Sequence, residues 1–254
     1  MRLKVLLIGI TVALCLTAVP ATADVDTGKS VVSRVGSYYG GTGGEFTLST
    51  ATLDTSAYSS LTKDVVIVDY TQSGTVDMTT SFQTFCVETD EHVYLPDHNI
   101  EQTIINTSGP TGSQAVFGGS NTPPGTADPL SYETAYLYTK FATGTLGGYH
   151  YSLTGVDPVS GLTRAQSAVA LQQAIWKLED EIPNDSLSGQ ALIWFDEANS
   201  SGWTNIGGVR VLNLWDNSSP EPRQDQLYYV PVPGAILLGI LGLGAAGLKL
   251  RKFA

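Results

Sequence analysis

The stretch AVALQQAIWKLED, Ala168 to Asp180, decides how the rest of the chain is read. Ala165, Ala168, Val169, Gln172, Ile175 and Trp176 recur at the three- and four-residue spacing of one helix face, whereas Gln166, Gln173, Lys177 and Asp180 share the opposite side. The pattern predicts a helix that starts behind Thr163 as N-cap and stops before Pro183. It also turns Gln172 inward and Gln173 outward. A primary amide buried without partners costs about 1–3 kcal/mol, so Gln172 must be hydrogen-bonded or chemically altered.

Two further helical patterns flank this one, LSYETAYLYTKFATG (Leu130 to Gly144) and SGQALIWFDEANSSG (Ser188 to Gly202). The first offers Tyr132, Tyr136, Tyr138 and Phe141 for packing. On either side the sequence has strand character. From Val31 to Ile105 it is rich in Thr, Ser, Val, Tyr and Gly, with runs such as FTLSTATL, KDVVIVDYTQ and FQTFCVET; GGVRVLNLW and QDQLYYV follow the helices. Asn106 to Pro129 is so dense in Gly, Pro, Ser and Thr that no regular structure is expected there. The predicted fold is α+β: a β-rich sandwich or barrel lobe (about 30–106 and 205–230) with a helical insertion (about 129–202).

The ends differ from this body. Residues 1–23 combine Arg2 and Lys4 with an apolar run and an Ala-Thr-Ala ending, the layout of a secretory signal peptide. Residues 231–254 open with Pro231-Val232-Pro233-Gly234, continue as an uncharged apolar run to Leu248 and end on Lys249, Arg251 and Lys252. As a helix that run reaches about 22 Å, short of the ~30 Å hydrocarbon core. Basic residues stay on the cytoplasmic side, so the body faces outward, held at the membrane at least transiently. This tail resembles the bacterial PEP-CTERM sorting signal, although Val232 stands where that family most often carries glutamate. The resemblance implies processing by an exosortase-type enzyme and a place at the cell surface or in the extracellular matrix.

The body, residues 24–230, is long enough for one domain or a domain with two lobes. It keeps 8 of the 13 basic residues against all 24 acidic ones, a balance of −16. Nucleic acid is thereby excluded as a partner, since phosphate binding needs clustered Lys and Arg. Cys15 leaves with the signal peptide, and Cys86 then has no internal partner. Such a leftover thiol is bridged to another chain, reactive, or buried and inert. The carboxylates and histidines of the acidic run Glu88, Asp90, Glu91, His92, Asp97 and His98 could hold a metal, but their spacing matches no known ligand set and the run reads as a solvated loop, so no metal ligand is assigned and no cofactor is expected. His150, in GGYHYS, is a strand or turn residue. A hydrolase is not indicated, because no Gly-x-Ser-x-Gly element is present, and YYGGTGGE lacks the Gly-Lys-Ser/Thr of a phosphate-binding loop.

Two readings of Gln172 remain. In one it is a satisfied core amide, bonded to a carbonyl of the strand lobe. In the other Cys86 attacks its side-chain amide, ammonia leaves, and an internal thioester joins the two lobes. Here Phe85-Cys86 and Gln172-Gln173-Ala174-Ile175-Trp176 resemble the aromatic-Cys and Gln-x-Ala-Ile-Trp elements of bacterial surface thioester domains. Leu171 departs from the threonine that many members carry, and Val87-Glu88 replace a second aromatic. The resemblance implies a Cys86–Gln172 bond in a pocket of Phe85, Ala174, Ile175 and Trp176. It further implies single-turnover covalent adhesion, not enzymatic turnover, to amine- or hydroxyl-bearing surface proteins or exopolysaccharide of a biofilm. The alternative is a noncovalent glycan-binding or structural envelope module.

Overall fold

The structure is a computed structural model that describes residues 24–34, 38–40, 43–63, 80–89, 91–93, 97–117, 126–183, 186–216 and 222–230. Residues 1–23 and 231–254, on which the signal-peptide and sorting-tail expectations fall, and most of the KDVVIVDYTQ stretch lie outside the described residues. Among the described residues no helix is long and apolar enough to cross a membrane.

The N-terminal strands are β1 (Val25–Asp26), β2 (Ser30–Ser33), β3 (Tyr39–Gly40), β4 (Gly43–Gly44), β5 (Phe46–Thr50), β6 (Thr80–Thr84) and β7 (Asp97–Ile105). Next come a two-residue pair, β8 (Gln114–Ala115) with β9 (Asp128–Pro129), and three helices, α1 (Tyr132–Ala142), α2 (Arg164–Leu178) and α3 (Gly189–Ser200). The chain returns to the sheet with β10 (Val209–Asp216) and β11 (Pro222–Tyr229). Strand order is β11-β10-β7-β2-β5-β6, antiparallel throughout, with β1 added to β7. This is an α+β fold with the helices inserted between strands. The β8–β9 ladder is a small correction to the segment from Asn106 to Pro129, which holds a turn pinned by Leu130 N donating to Ser113 O (3.0 Å).

The sheet curls instead of splitting into a sandwich, because its two edges meet. After β6 the chain runs on through Phe85, Cys86 and Val87 alongside β11: Leu227 N donates to Phe85 O (3.0 Å) and Val87 N donates to Asp225 O (3.1 Å), with Cys86 opposite Gln226. Thr84 Oγ1 and Tyr138 Oη both donate to Leu227 O (2.6 and 2.9 Å), tying α1 to the same seam. Both faces of the sheet are covered in places. β5, FTLST, is buried at every position, and its Thr47 hydroxyl pairs with the Gln83 amide (2.9 Å), as buried polar groups require.

The helix ends follow local rules. Ser131 caps α1 by accepting from Thr134 N, and Thr163 and Gln166 form a reciprocal capping box at the start of α2. The face of α2 is wider than the wheel implies. α1, α3 and the β3–β4 hairpin all pack on it in addition to the sheet, so Arg164, Ser167, Leu171 and Glu179 beside it are buried too. Lys177 is a correction: expected outside, it is 7% exposed and its Nζ donates to Ile182 O (3.2 Å). Gln173 and Asp180 are exposed.

Glu179 joins α2 to the start of α1, accepting from Ser131 Oγ at 2.5 Å. Burial pushes its carboxyl up from 4.5 to about 7, against the hydrogen bonds from Ser131. A carboxyl whose folded pKa exceeds its unfolded value takes up a proton on folding. Its contribution is therefore full below about 4.5 and is lost as pH rises through about 7. A shift of this size corresponds to about 3 kcal/mol. Glu179→Gln, which keeps the acceptor, should flatten the fall in urea-unfolding stability between pH 4.5 and 8 by that order; an unchanged pH profile would disprove the assignment.

Candidate functional site

The pairing of Phe85 and Val87 with β11 leaves the amide and carbonyl of Cys86 pointing away from that strand. The Gln172 carboxamide takes both. Gln172 Nε2 donates to Cys86 O (2.8 Å), and Cys86 N donates to Gln172 Oε1 (3.3 Å). The Cys86 thiol is the third contact, with Sγ 3.3 Å from the same Oε1. Both residues are 0% exposed. A helix side chain thus completes hydrogen bonds that a further strand would otherwise supply, and in doing so lies against a nucleophile. This explains why an amide sits on the apolar face.

The wall is built from both lobes. Trp176, one turn after Gln172, packs its indole edge toward Gly43 of the β3–β4 hairpin. Phe85 packs edge-on against Phe141 of α1 (centroids 4.9 Å), which makes it a buttress of the seam, while Ala174 and Ile175 are fully buried in the core. Burial pushes the Cys86 thiol up. The Trp176 indole N–H, which makes no hydrogen bond of ordinary geometry, and the Arg34 guanidinium act in the opposite direction. Arg34 itself stacks on Tyr39 and Phe46, 4.4 Å from each ring centroid. Two groups that favour a thiolate therefore stand near a sulfur whose surroundings otherwise keep it neutral.

The hairpin carrying Gly43 is fastened at its base. Glu45, immediately after β4, binds the Arg164 guanidinium through both oxygens (Nε–Oε1 and Nη2–Oε2, each 2.9 Å) and accepts from the Tyr149 hydroxyl. Arg164 also lies over the Tyr38 ring at 4.5 Å. The glycines let the hairpin approach α2: a Cβ at Gly43 would meet Gln172 Cγ at 2.8 Å and Trp176 Cη2 at 3.0 Å, and one at Gly40 would meet Val169 Cγ2 at 2.9 Å. Gln172 cannot swing aside without surrendering its bonds to Cys86. Gly43→Ala is accordingly expected to cost about 1–3 kcal/mol by overpacking. Gly147→Ala, where nothing lies within 4 Å, should stay within about 0.5 kcal/mol; urea midpoints of the two variants check this.

The acidic run is not the solvated loop expected. Glu88 and Glu91 are buried, 1% and 6% exposed, and Asp225 of β11 joins them at 0%. His92 is exposed; Asp90 and the side chains of Asp97 and His98 lie outside the described residues. His150 Nε2 is 2.9 Å from Thr154 O, a turn contact. Sequence reasoning missed Asp225, Arg34 and the Glu45–Arg164 pair. The sequence signal for Glu45 lies in YYGGTGGE, whose glycines mark a close approach of backbone.

No protein-family model and no curated protein matches the chain. Among solved structures it is similar to the N-terminal thioester domain of a surface protein from Clostridium perfringens, with a TM-score of 0.40 and 14% sequence identity, over 80% of this chain and 99% of that one.

Proposed function

We propose that the chain is an exported cell-surface or matrix protein that attaches covalently to its partner through an internal thioester between Cys86 and Gln172. The observation that carries this reading is the 3.3 Å contact between Cys86 Sγ and Gln172 Oε1 inside a dry seam. Sγ adds to Gln172 Cδ, the Cδ–N bond breaks, and the amide nitrogen leaves as ammonia with the thiol proton. During addition the Cys86 N–H steadies the charge that develops on Oε1.

A later nucleophile, an amine or hydroxyl of a surface protein or exopolysaccharide, attacks the same carbon. Its bond to Cδ forms, the Cδ–S bond breaks, and the nucleophile's proton passes to the sulfur. Trp176 and Arg34 favour the departing thiolate. The chain ends joined to its target, so this is one turnover and not enzymatic catalysis. Export, anchoring and exosortase-type processing belong to the sequence of residues 1–23 and 231–254.

A noncovalent glycan-binding or structural envelope module is the second reading. It is favoured by both ends of the same carboxamide being bonded to the Cys86 main chain. Intact mass of the mature protein separates the two. A species lighter by one ammonia, which gains the mass of methylamine on incubation, supports the thioester. Full mass, with Cys86 alkylated after unfolding, rules it out.

A further inference from the structure

We propose that Glu88, Glu91 and Asp225 form a binding site for a hard divalent cation of the size of calcium. The three carboxylates reach one point from two separate parts of the chain, the loop after Cys86 and strand β11, with ligand oxygens within 4.8 Å of one another. Oxygens around a calcium ion lie at about 2.4 Å from it and hence at most about 4.8 Å apart. An oxygen-only donor set favours calcium, magnesium or manganese over zinc or copper.

A second observation concerns where the individual oxygens point. One oxygen of Asp225 accepts from Val116 N and Asn213 Nδ2, both at 2.7 Å, and Glu88 Oε1 accepts from Phe117 N at 3.0 Å. These donors fix the two carboxyl groups. Their remaining oxygens are buried: among the described residues Asp225 Oδ1 has no hydrogen-bond donor, and Glu88 Oε2 has none either, with the Glu91 carboxyl as the neighbour of Glu88. An ionised carboxylate oxygen without a partner at this depth is strongly unfavourable. Burial first, and the neighbouring carboxyls next, push both Glu88 and Asp225 up. The cluster must therefore take either protons or a cation, and the convergence of three carboxylates from two chain segments within 4.8 Å suits the cation.

The site sits on the barrel seam. Val87 N donates to Asp225 O (3.1 Å) and Gln224 Nε2 donates to Glu88 O (3.0 Å). A cation there would cross-link the loop after Cys86 to β11 by a second route, and it would do so whether or not Cys86 and Gln172 join.

Calorimetric titration of the EDTA-stripped full chain with CaCl2, with MgCl2 as comparison, tests the proposal. One saturable CaCl2 site and a rise in Tm with CaCl2 are expected, with affinity weakened at least tenfold in both Asp225→Asn and Glu88→Gln. Should one variant fail to fold, by near-ultraviolet circular dichroism, the other carries the comparison. Absence of saturable heat, tighter binding of magnesium than calcium, or unaltered affinity in the folded variants would each overturn the assignment. So would a parent protein whose Tm does not respond to CaCl2 while Asp225→Asn is as stable as it, the behaviour of carboxyls that share protons.

Discussion

Mature protein carrying Gln173→Ala should be lighter by one ammonia, as the parent should, whereas Gln172→Ala and Cys86→Ala should run at the full mass of their sequences. The two glutamines are neighbours in the chain but are turned about 100° apart on the helix. Gln172 is 0% exposed and meets Cys86 through three contacts; Gln173 is exposed. The Gln172→Ala result must be read with stability in view, because truncation strands the Cys86 amide and carbonyl in a dry place at about 1–3 kcal/mol for each unsatisfied group. Cys86→Ala leaves those backbone bonds intact and isolates the chemistry. If Gln173→Ala lost the ammonia deficit while Gln172→Ala kept it, the helix register assigned to the site would be wrong.

The parts of this molecule that were legible in its sequence are those in which a local rule and a tertiary demand agree. Thr163 with Gln166 signals the start of α2 by capping chemistry alone, and the inward turn of Gln172 follows from spacing. The order of strands, helices and strands gives the α+β class. The seam is different. Phe85 to Val87 pair with β11 across about 140 residues of chain, and no periodicity encodes which edge meets which. Asp225 lay hidden for the same reason: in RQDQLYY it is one polar residue among several, and only the closure of the sheet carries it to Glu88 and Glu91. Lys177 misled because a wheel allows for one neighbouring surface, while α2 has several. The glycines of YYGGTGGE signal close approach in the sequence, but the helix that they approach becomes visible only in three dimensions.

Arg164→Met should destabilise the protein by about 3–5 kcal/mol in urea unfolding, the range for removing one partner of a buried ion pair. Glu45 would be left without its cation at 0% side-chain exposure, with the Tyr149 hydroxyl as its one remaining side-chain partner among the described residues. The surface pair Lys140–Glu197, 33% and 35% exposed, provides the contrast: Lys140→Met should cost less than about 1 kcal/mol, since water screens both charges. Removing both partners, as Glu45→Leu with Arg164→Met, should recover part of the loss, because the penalty comes mainly from the orphaned charge and not from the absent bond. Recovery of stability need not restore the site. The bidentate contact sets the base of the hairpin that brings Gly43 against Gln172 and Trp176, and leucine and methionine cannot reproduce its geometry. On the thioester reading, the double variant should therefore be stable yet lose its ammonia deficit faster than the parent in repeated mass measurements. Equal lifetimes would mean that the hairpin does not shield the bond from water.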